Sequence, residues 1–218
     1  MSAQEGGGYL GPLTCNCLVG PALNNVKTAH ATTPAATEAI SGLDEALLKA
    51  DGESPAFLYD LAKILMEESL LNIDIQESFL RLQAKAPSTD LELNELSHIP
   101  RFQAISEKAI HLRKVLSRIP DEMADRRPFL ETIKEIATSI RVLLDAANDI
   151  VRSVPPNVHP SIEKRKREFV HYSKRFSNTL KDYFRVHDAG QVFVASNQLI
   201  FQTIQLIRCI RERVPGSA

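Results

Sequence analysis

The sequence predicts an all-α chain, divided into a small N-terminal helical unit and a C-terminal antiparallel four-helix bundle. Three observations carry that prediction. Apolar residues recur at spacings of three and four in segments from Ile40 to Ile210, as in helices with one buried stripe. Proline punctuates these segments at Pro55, Pro100, Pro120, Pro128, Pro155 and Pro160, where a helix accepts it in its first turn or stops before it. Charge is also divided. Residues 1–97 carry 5 Lys and Arg against 14 Asp and Glu, and residues 98–218 carry 21 against 13. The net charge of −1 for 218 residues therefore averages an acidic half of −9 and a basic half of +8, which points to two units with different partners.

Residues 1–36 are rich in Gly, Pro, Ala, Thr and Asn and have no sustained apolar period. Gly6-Gly7-Gly8, Gly11-Pro12 and Gly20-Pro21 interrupt them, so they read as a flexible tail with one short apolar patch from Leu13 to Leu23. Ile40, Leu43, Leu47 and Leu48 begin a helical unit over residues 37–84. Its second helix opens at Ser54-Pro55, Ser as cap and Pro as first helical residue, and continues through Phe57, Leu58, Leu61, Ile64 and Leu65. A third starts at Asp74 or Gln76 and carries Phe79, Leu80 and Leu82. Three short helices bury little surface alone, so their leucines predict a second chain that completes the core. Residues 85–100 read as a polar, proline-bounded linker.

The bundle is predicted over residues 101–213. Ile105, Ala109, Leu112, Leu116 and Ile119 mark its first helix, which Ile119-Pro120-Asp121 stops. The second carries Phe129, Ile133, Ile136, Ile140, Leu144, Ala147 and Val151. The third, with Ser161 as its cap, carries Ile162, Phe169, Tyr172, Phe176, Leu180 and Tyr183. Asp188-Ala189-Gly190 turns the chain into the last helix, with Phe193, Ile200, Ile204, Ile207 and Ile210 inward. Val192-Phe193-Val194 favours a strand locally, but a three-residue run without a partner strand yields to its helical neighbours. Four helices joined by short connections form an up-and-down bundle.

Signatures of chemistry are sparse. Gly6-Gly7-Gly8 lacks the Lys-Ser/Thr of a phosphate loop, and the six histidines are scattered rather than spaced for a metal. Cys15 and Cys17 make at most half a zinc site and read as small residues in the tail; Cys209 reads as a packed thiol. Three cysteines form no disulfide framework and fit a reducing cytoplasm. No apolar run approaches the roughly 18–20 residues that span a bilayer. Met1–Leu10, with Glu5 and three glycines, lacks the basic start and apolar core of a secretory signal. No catalytic residue, metal or cofactor is expected.

The basic residues carry more information. Glu163 to Arg185 contains eight Lys and Arg against three acids. Lys174 and Lys181 lie seven apart, on one helical stripe, and so do Lys134 and Arg141 on the preceding helix. If those helices pack side by side, four cations flank one groove. Such a groove suits an acidic amphipathic helix or the phosphates of anionic lipid, and no nucleic-acid motif is present.

Several stretches carry a family likeness. Leu116-Ser117-Arg118-Ile119-Pro120-Asp121-Glu122, followed by Phe129 to Lys134, resembles the programmed cell death protein 10 (cerebral cavernous malformations 3) family. Glu168-Phe169-Val170-His171-Tyr172-Ser173-Lys174-Arg175-Phe176-Ser177 and Val192-Phe193-Val194-Ala195-Ser196-Asn197 agree with it, and Leu47 to Ala50 and Glu77 to Arg81 agree more loosely. The resemblance runs over residues 37–212. It implies a non-enzymatic scaffold with an N-terminal dimerisation domain and a four-helix bundle similar to focal adhesion targeting domains. That domain is implied to form homodimers, or heterodimers with germinal-centre class III kinases, which it ties to striatin-containing phosphatase assemblies. The bundle is implied to bind leucine–aspartate-type acidic helices, as in paxillin and the cerebral cavernous malformations 2 scaffold, and phosphoinositides. Carried over by position, the dimer or kinase contacts fall on Leu43, Ala46, Leu65 and Met66, and the groove cations on Lys134, Arg141, Lys174 and Lys181. Arg141 stands where the family has Lys, which keeps the charge and changes the hydrogen-bond geometry. The resemblance further implies a cytoplasmic protein with peripheral membrane and Golgi association.

Overall fold

The computed structural model describes residues 8–54 and 56–214, and among these residues all regular structure is helical. The chain divides into two units, one running to Pro87 and the other starting at Ser88.

The N-terminal unit begins earlier than its apolar period suggests. Helix α1 (Gly11–Thr14), a π-helical turn at Cys15–Val19 and α2 (Gly20–Ala29) occupy the region expected to be a flexible tail. Tyr9, Leu10, Leu13, Thr14 and Cys17 are buried, and the Tyr9 hydroxyl donates to Gln76 Oε1 at 2.7 Å. Gly11-Pro12 opens α1, because a helix does not use the N–H of its first residues, whereas Gly20-Pro21 follows the π-helical turn without a break in the right-handed backbone, the Gly20 N–H donating to the Cys15 carbonyl. Gly11 has a second role: a Cβ there would stand 3.0 Å from Ala56 Cβ, so its hydrogen lets α1 approach the chain at Ala56. Residues 1–7, including the glycine triplet, lie outside the described residues.

Helices α3 (Pro34–Glu53), α4 (Phe57–Glu68) and α5 (Ile75–Gln83) follow. Ser54 does not cap α4, and Pro55 lies outside the described residues. Asp51 takes the capping role, its carboxylate accepting from the Leu58 N–H at 3.1 Å, while Ala56 turns the chain at φ 76°. Asp74 caps α5 by accepting from the Glu77 N–H at 2.9 Å. Leu58, Tyr59, Phe79 and Leu80 join the buried residues of the N-terminal segment, with the Tyr59 and Phe79 rings edge to face at 6.3 Å.

The predicted linker is also structured. Its residues from Ser88 onward belong to the C-terminal unit, and Leu91, Leu93 and Leu96 are buried. Arg113, 2% exposed, donates to Asp90 Oδ1 at 2.9 Å, and Arg211 donates to the carbonyls of Thr89, Asp90 and Glu92. Composition marked this stretch as a spacer. Carbonyls bound by an arginine and three buried leucines make it part of a core.

The bundle consists of α6 (Pro100–Ser117), α8 (Arg126–Ser153), α9 (His159–Val186) and α10 (Ala189–Arg213), with the single turn α7 (Ile119–Glu122) between the first two. Arg118 holds that connection, donating to Glu122, Glu135 and Thr132. Asp125 and Asp188 cap α8 and α10, each accepting a backbone N–H two residues on. Ser161 lies inside α9 and is not its cap; the helix starts two residues earlier, after Val158. His187, at φ 61°, ends α9 in the left-handed conformation. α6 packs most broadly on α8, and α9 on α10; α10 also packs on α6, and α8 touches α9. Phe129, Phe169, Phe176, Leu112, Leu116, Leu199 and Ile207 form the core. Val192-Phe193-Val194 is helical.

Two predictions follow from this packing. Leu10 is fully buried, so Leu10→Ala should destabilise the chain by about 2–4 kcal/mol in chemical denaturation at fixed protein concentration. Asp90→Ala removes one carboxylate acceptor from the buried Arg113 guanidinium and should destabilise the chain by about 1–3 kcal/mol in the same measurement.

Candidate functional site: an unfilled apolar face and a basic groove

Large apolar side chains are exposed chiefly in the N-terminal unit. Val26, Leu43, Leu48, Ile64, Leu65, Leu70, Leu71 and Ile73 are each at least 45% exposed, whereas the C-terminal unit exposes Leu130, Phe184 and Val186. Leu70, at φ 56°, is 92% exposed in the turn after α4. Of the expected contact residues, Leu43 and Ala46 are exposed on α3, Leu65 is exposed on α4, and Met66 beside it is half-buried. Helix α3 has no fully buried residue along its 20 positions. A surface this apolar, next to a core built from a few residues, marks a face that another surface covers.

The four expected groove cations are all exposed, Lys134 and Arg141 on α8 and Lys174 and Lys181 on α9. Phe129 at the start of α8 lies 5.6 Å from the Tyr183 ring and 5.9 Å from the Phe184 ring near the end of α9. In this antiparallel register Lys134 and Lys181 fall within about one turn of each other along the two helices, and so do Arg141 and Lys174. Half-buried Ile133, Ile140 and Leu144 run at spacings of seven and four beside the α8 cations, and Val170 is half-buried on α9. Lys134 donates to Glu131 at 2.9 Å, both side chains being largely exposed, so the contact contributes little to stability. Arg141, Lys174 and Lys181 have no ion-pair partner among the described residues. Sequence spacing gave no sign that Leu130 and Phe184 stand exposed where the Phe129 and Tyr183 rings meet.

Cys15 and Cys17 lie in the π-helical turn rather than in a flexible tail, and Cys209 is half-buried on α10. Cys17 is 2% exposed and its Sγ donates to the Leu13 carbonyl at 2.9 Å. Burial, then Asp44 and Asp51, push the Cys15 thiol above its ordinary range. Burial also raises Cys209, against the opposing pull of Arg165 and Arg213. Thiols held protonated in this way are poor nucleophiles. Among the described residues no three His, Cys, Asp or Glu side chains converge as metal ligands, and no helix is long and apolar enough to cross a membrane.

Comparison with known proteins agrees with the division into two units. Residues 7–72 match the family model for the dimerisation domain of programmed cell death protein 10, and residues 73–168 match the model for its C-terminal region. The first match starts well before residue 37, in keeping with the helices found there. Its end precedes α5, which packs within the N-terminal unit. The programmed cell death protein 10 homolog of Caenorhabditis elegans is 48% identical over 211 residues, which cover 97% of this chain and 98% of that protein. With likeness on this scale over both units, the chain belongs to the programmed cell death protein 10 family.

Proposed function

We propose that the protein is a non-catalytic adaptor that joins through its N-terminal unit and grips an acidic helix through its C-terminal bundle. The observation that carries this reading is the concentration of exposed leucines and isoleucines in a unit that matches a dimerisation domain. An apolar face of this kind suits another helical chain of similar character, either a second copy or the helical region of a germinal-centre class III kinase, with an interface of roughly 2,000 Å² or more. Through such a kinase the adaptor reaches a striatin-type phosphatase assembly. Cytoplasmic location with peripheral membrane and Golgi association completes this reading.

On the bundle, cations at two levels flank half-buried isoleucines, which suits a helix with leucines toward the groove and carboxylates toward the rims. Leucine–aspartate-type segments, as in paxillin and the cerebral cavernous malformations 2 scaffold, have this composition. The same exposed cations suit phosphoinositide head groups, and co-sedimentation with vesicles that contain or lack phosphoinositides separates the two ligands.

Leu43→Asp combined with Leu65→Asp places charges on the exposed face, and the expected outcome is a monomer by light scattering that no longer co-purifies the kinase. A double variant that remains dimeric places the interface elsewhere. In the groove, Lys134→Glu with Lys174→Glu should weaken a leucine–aspartate peptide by about tenfold or more in a titration, since both charges become repulsive. Its unfolding transition should stay unchanged, because both side chains are exposed.

A further inference from the structure

Two exposed apolar residues of the bundle stand in register with the cations of α8 and α9. Leu130, 37% exposed, and Phe184, 40% exposed, are two of the three large apolar residues uncovered among the described residues of the C-terminal unit. Leu130, Ala137 and Leu144 lie seven apart on α8, and Val170, Ser177 and Phe184 lie seven apart on α9, so each trio forms one stripe of its helix. Lys134 and Arg141 fall on the first stripe, and Lys174 and Lys181 on the second, three or four residues from its members.

The two stripes run antiparallel, and the Phe129 ring lies 5.9 Å from the Phe184 ring. The register set by this contact pairs the trios at three levels, each to within about one turn: Leu130 with Phe184, Ala137 with Ser177, and Leu144 with Val170. Between successive levels stand cations, Lys134 with Lys181 and then Arg141 with Lys174. Along its length the groove is therefore large apolar, basic, small, basic and large apolar. Ala137 and Ser177 let a bound helix approach closely at the centre. The outer levels are 14 residues apart on each helix, about 21 Å.

A helix of about eight residues spans about 12 Å, enough to bring carboxylates to both cation levels, and it leaves at least one apolar level bare. Leu144 and Val170 are already half-buried, whereas Leu130 and Phe184 are exposed beside the Phe129 and Tyr183 rings and gain most from being covered. The patch is continuous with Lys134 and Lys181, each one turn away on its own helix, so a ligand whose carboxylates meet those cations has its next turn over the patch. We infer that the groove takes an amphipathic helix of at least about 15 residues, with a large apolar or aromatic residue one turn beyond its outer carboxylate that seats between Leu130 and Phe184. This rests on the groove taking an acidic helix, and adds the length of that helix and its terminal anchor. The anchor selects among acidic helices that the cations alone attract equally.

The test is a fluorescence-anisotropy titration of the full chain with labelled peptides, and circular dichroism is the folding control. The peptides are a leucine–aspartate core, the same core extended at either end by a helical turn carrying phenylalanine, and the same extensions with serine in its place. At one end, phenylalanine should tighten binding about fivefold or more relative to serine. In Phe184→Ala with Leu130→Ala the phenylalanine and serine peptides should bind alike, and Leu130→Ala alone, which keeps the ring cluster, should remove part of the gain. No gain at either end, or a gain that both variants leave intact, overturns the inference, while a core peptide that binds the wild type and is lost in Lys134→Glu with Lys174→Glu upholds the groove. A core peptide that fails to bind the wild type overturns the groove itself, and the inference with it.

Discussion

A short chain of helices has a surface-to-volume problem, and the N-terminal unit of this protein is governed by it. Among its described residues, fewer than ninety, are five helices and a π-helical turn, yet their large buried side chains gather around a few positions: Tyr9, Leu10, Leu13, Leu58, Tyr59, Phe79 and Leu80. Helix α3 contributes no fully buried residue. Side chains such as Leu43, Leu65 and Leu71, which a larger domain turns inward, are left facing out. Hydrophobic burial scales with the apolar area removed from water, so a unit in this condition gains far more from a second chain than from any internal rearrangement. Its match to a dimerisation domain agrees with that energetic requirement.

The C-terminal unit has the opposite character. Its long helices close a core of phenylalanines and branched aliphatics, with aspartates capping two of them and hydroxyls such as those of Ser196 and Thr203 satisfied by carbonyls one turn back. With stability supplied internally, surface charge is free to serve recognition. The basic excess of the second half includes exposed cations on the stripes of α8 and α9 and a cluster where α9 begins and α10 ends. Exposed cations contribute little to folding and much to the rate and selectivity with which acidic partners are met.

Much of this was legible from residue spacing. The amphipathic stripes mark the long helices of the bundle, because a helix that buries one face must repeat its apolar residues near every 3.6 positions. That Lys134 shares a stripe with Arg141, and Lys174 with Lys181, was legible for the same reason: residues seven apart share a stripe whatever the tertiary context. Residues 8–30 were not. Gly11-Pro12 and Gly20-Pro21 have the composition of a loop, and it is the close approach of Gly11 to Ala56, the bond from Tyr9 to Gln76 and the π-helical turn running into Gly20 that make the segment a packed helix. The stretch after Ser88 misled in a related way. Its polarity reflects groups bound by Arg113 and Arg211, residues 23 and about 120 positions away, and no local pattern announces partners at that distance.

By itself the sequence determined the helical class, the positions of the main helices and the division of charge into an acidic and a basic half. Each follows from periodicity or composition, which act within a few residues. Tertiary structure alone decided which apolar residues remain unburied. Leu43 and Leu112 look alike in sequence, each a leucine on an apolar stripe, yet one is 49% exposed and the other fully buried. The difference lies in the neighbours: in the bundle each long helix has others to pack against, whereas the exposed faces of α3 and α4 have none in their own unit. Tertiary structure also brought the start of α9 against the end of α10, joining Lys164 and Arg213 in one cleft across 49 residues of chain.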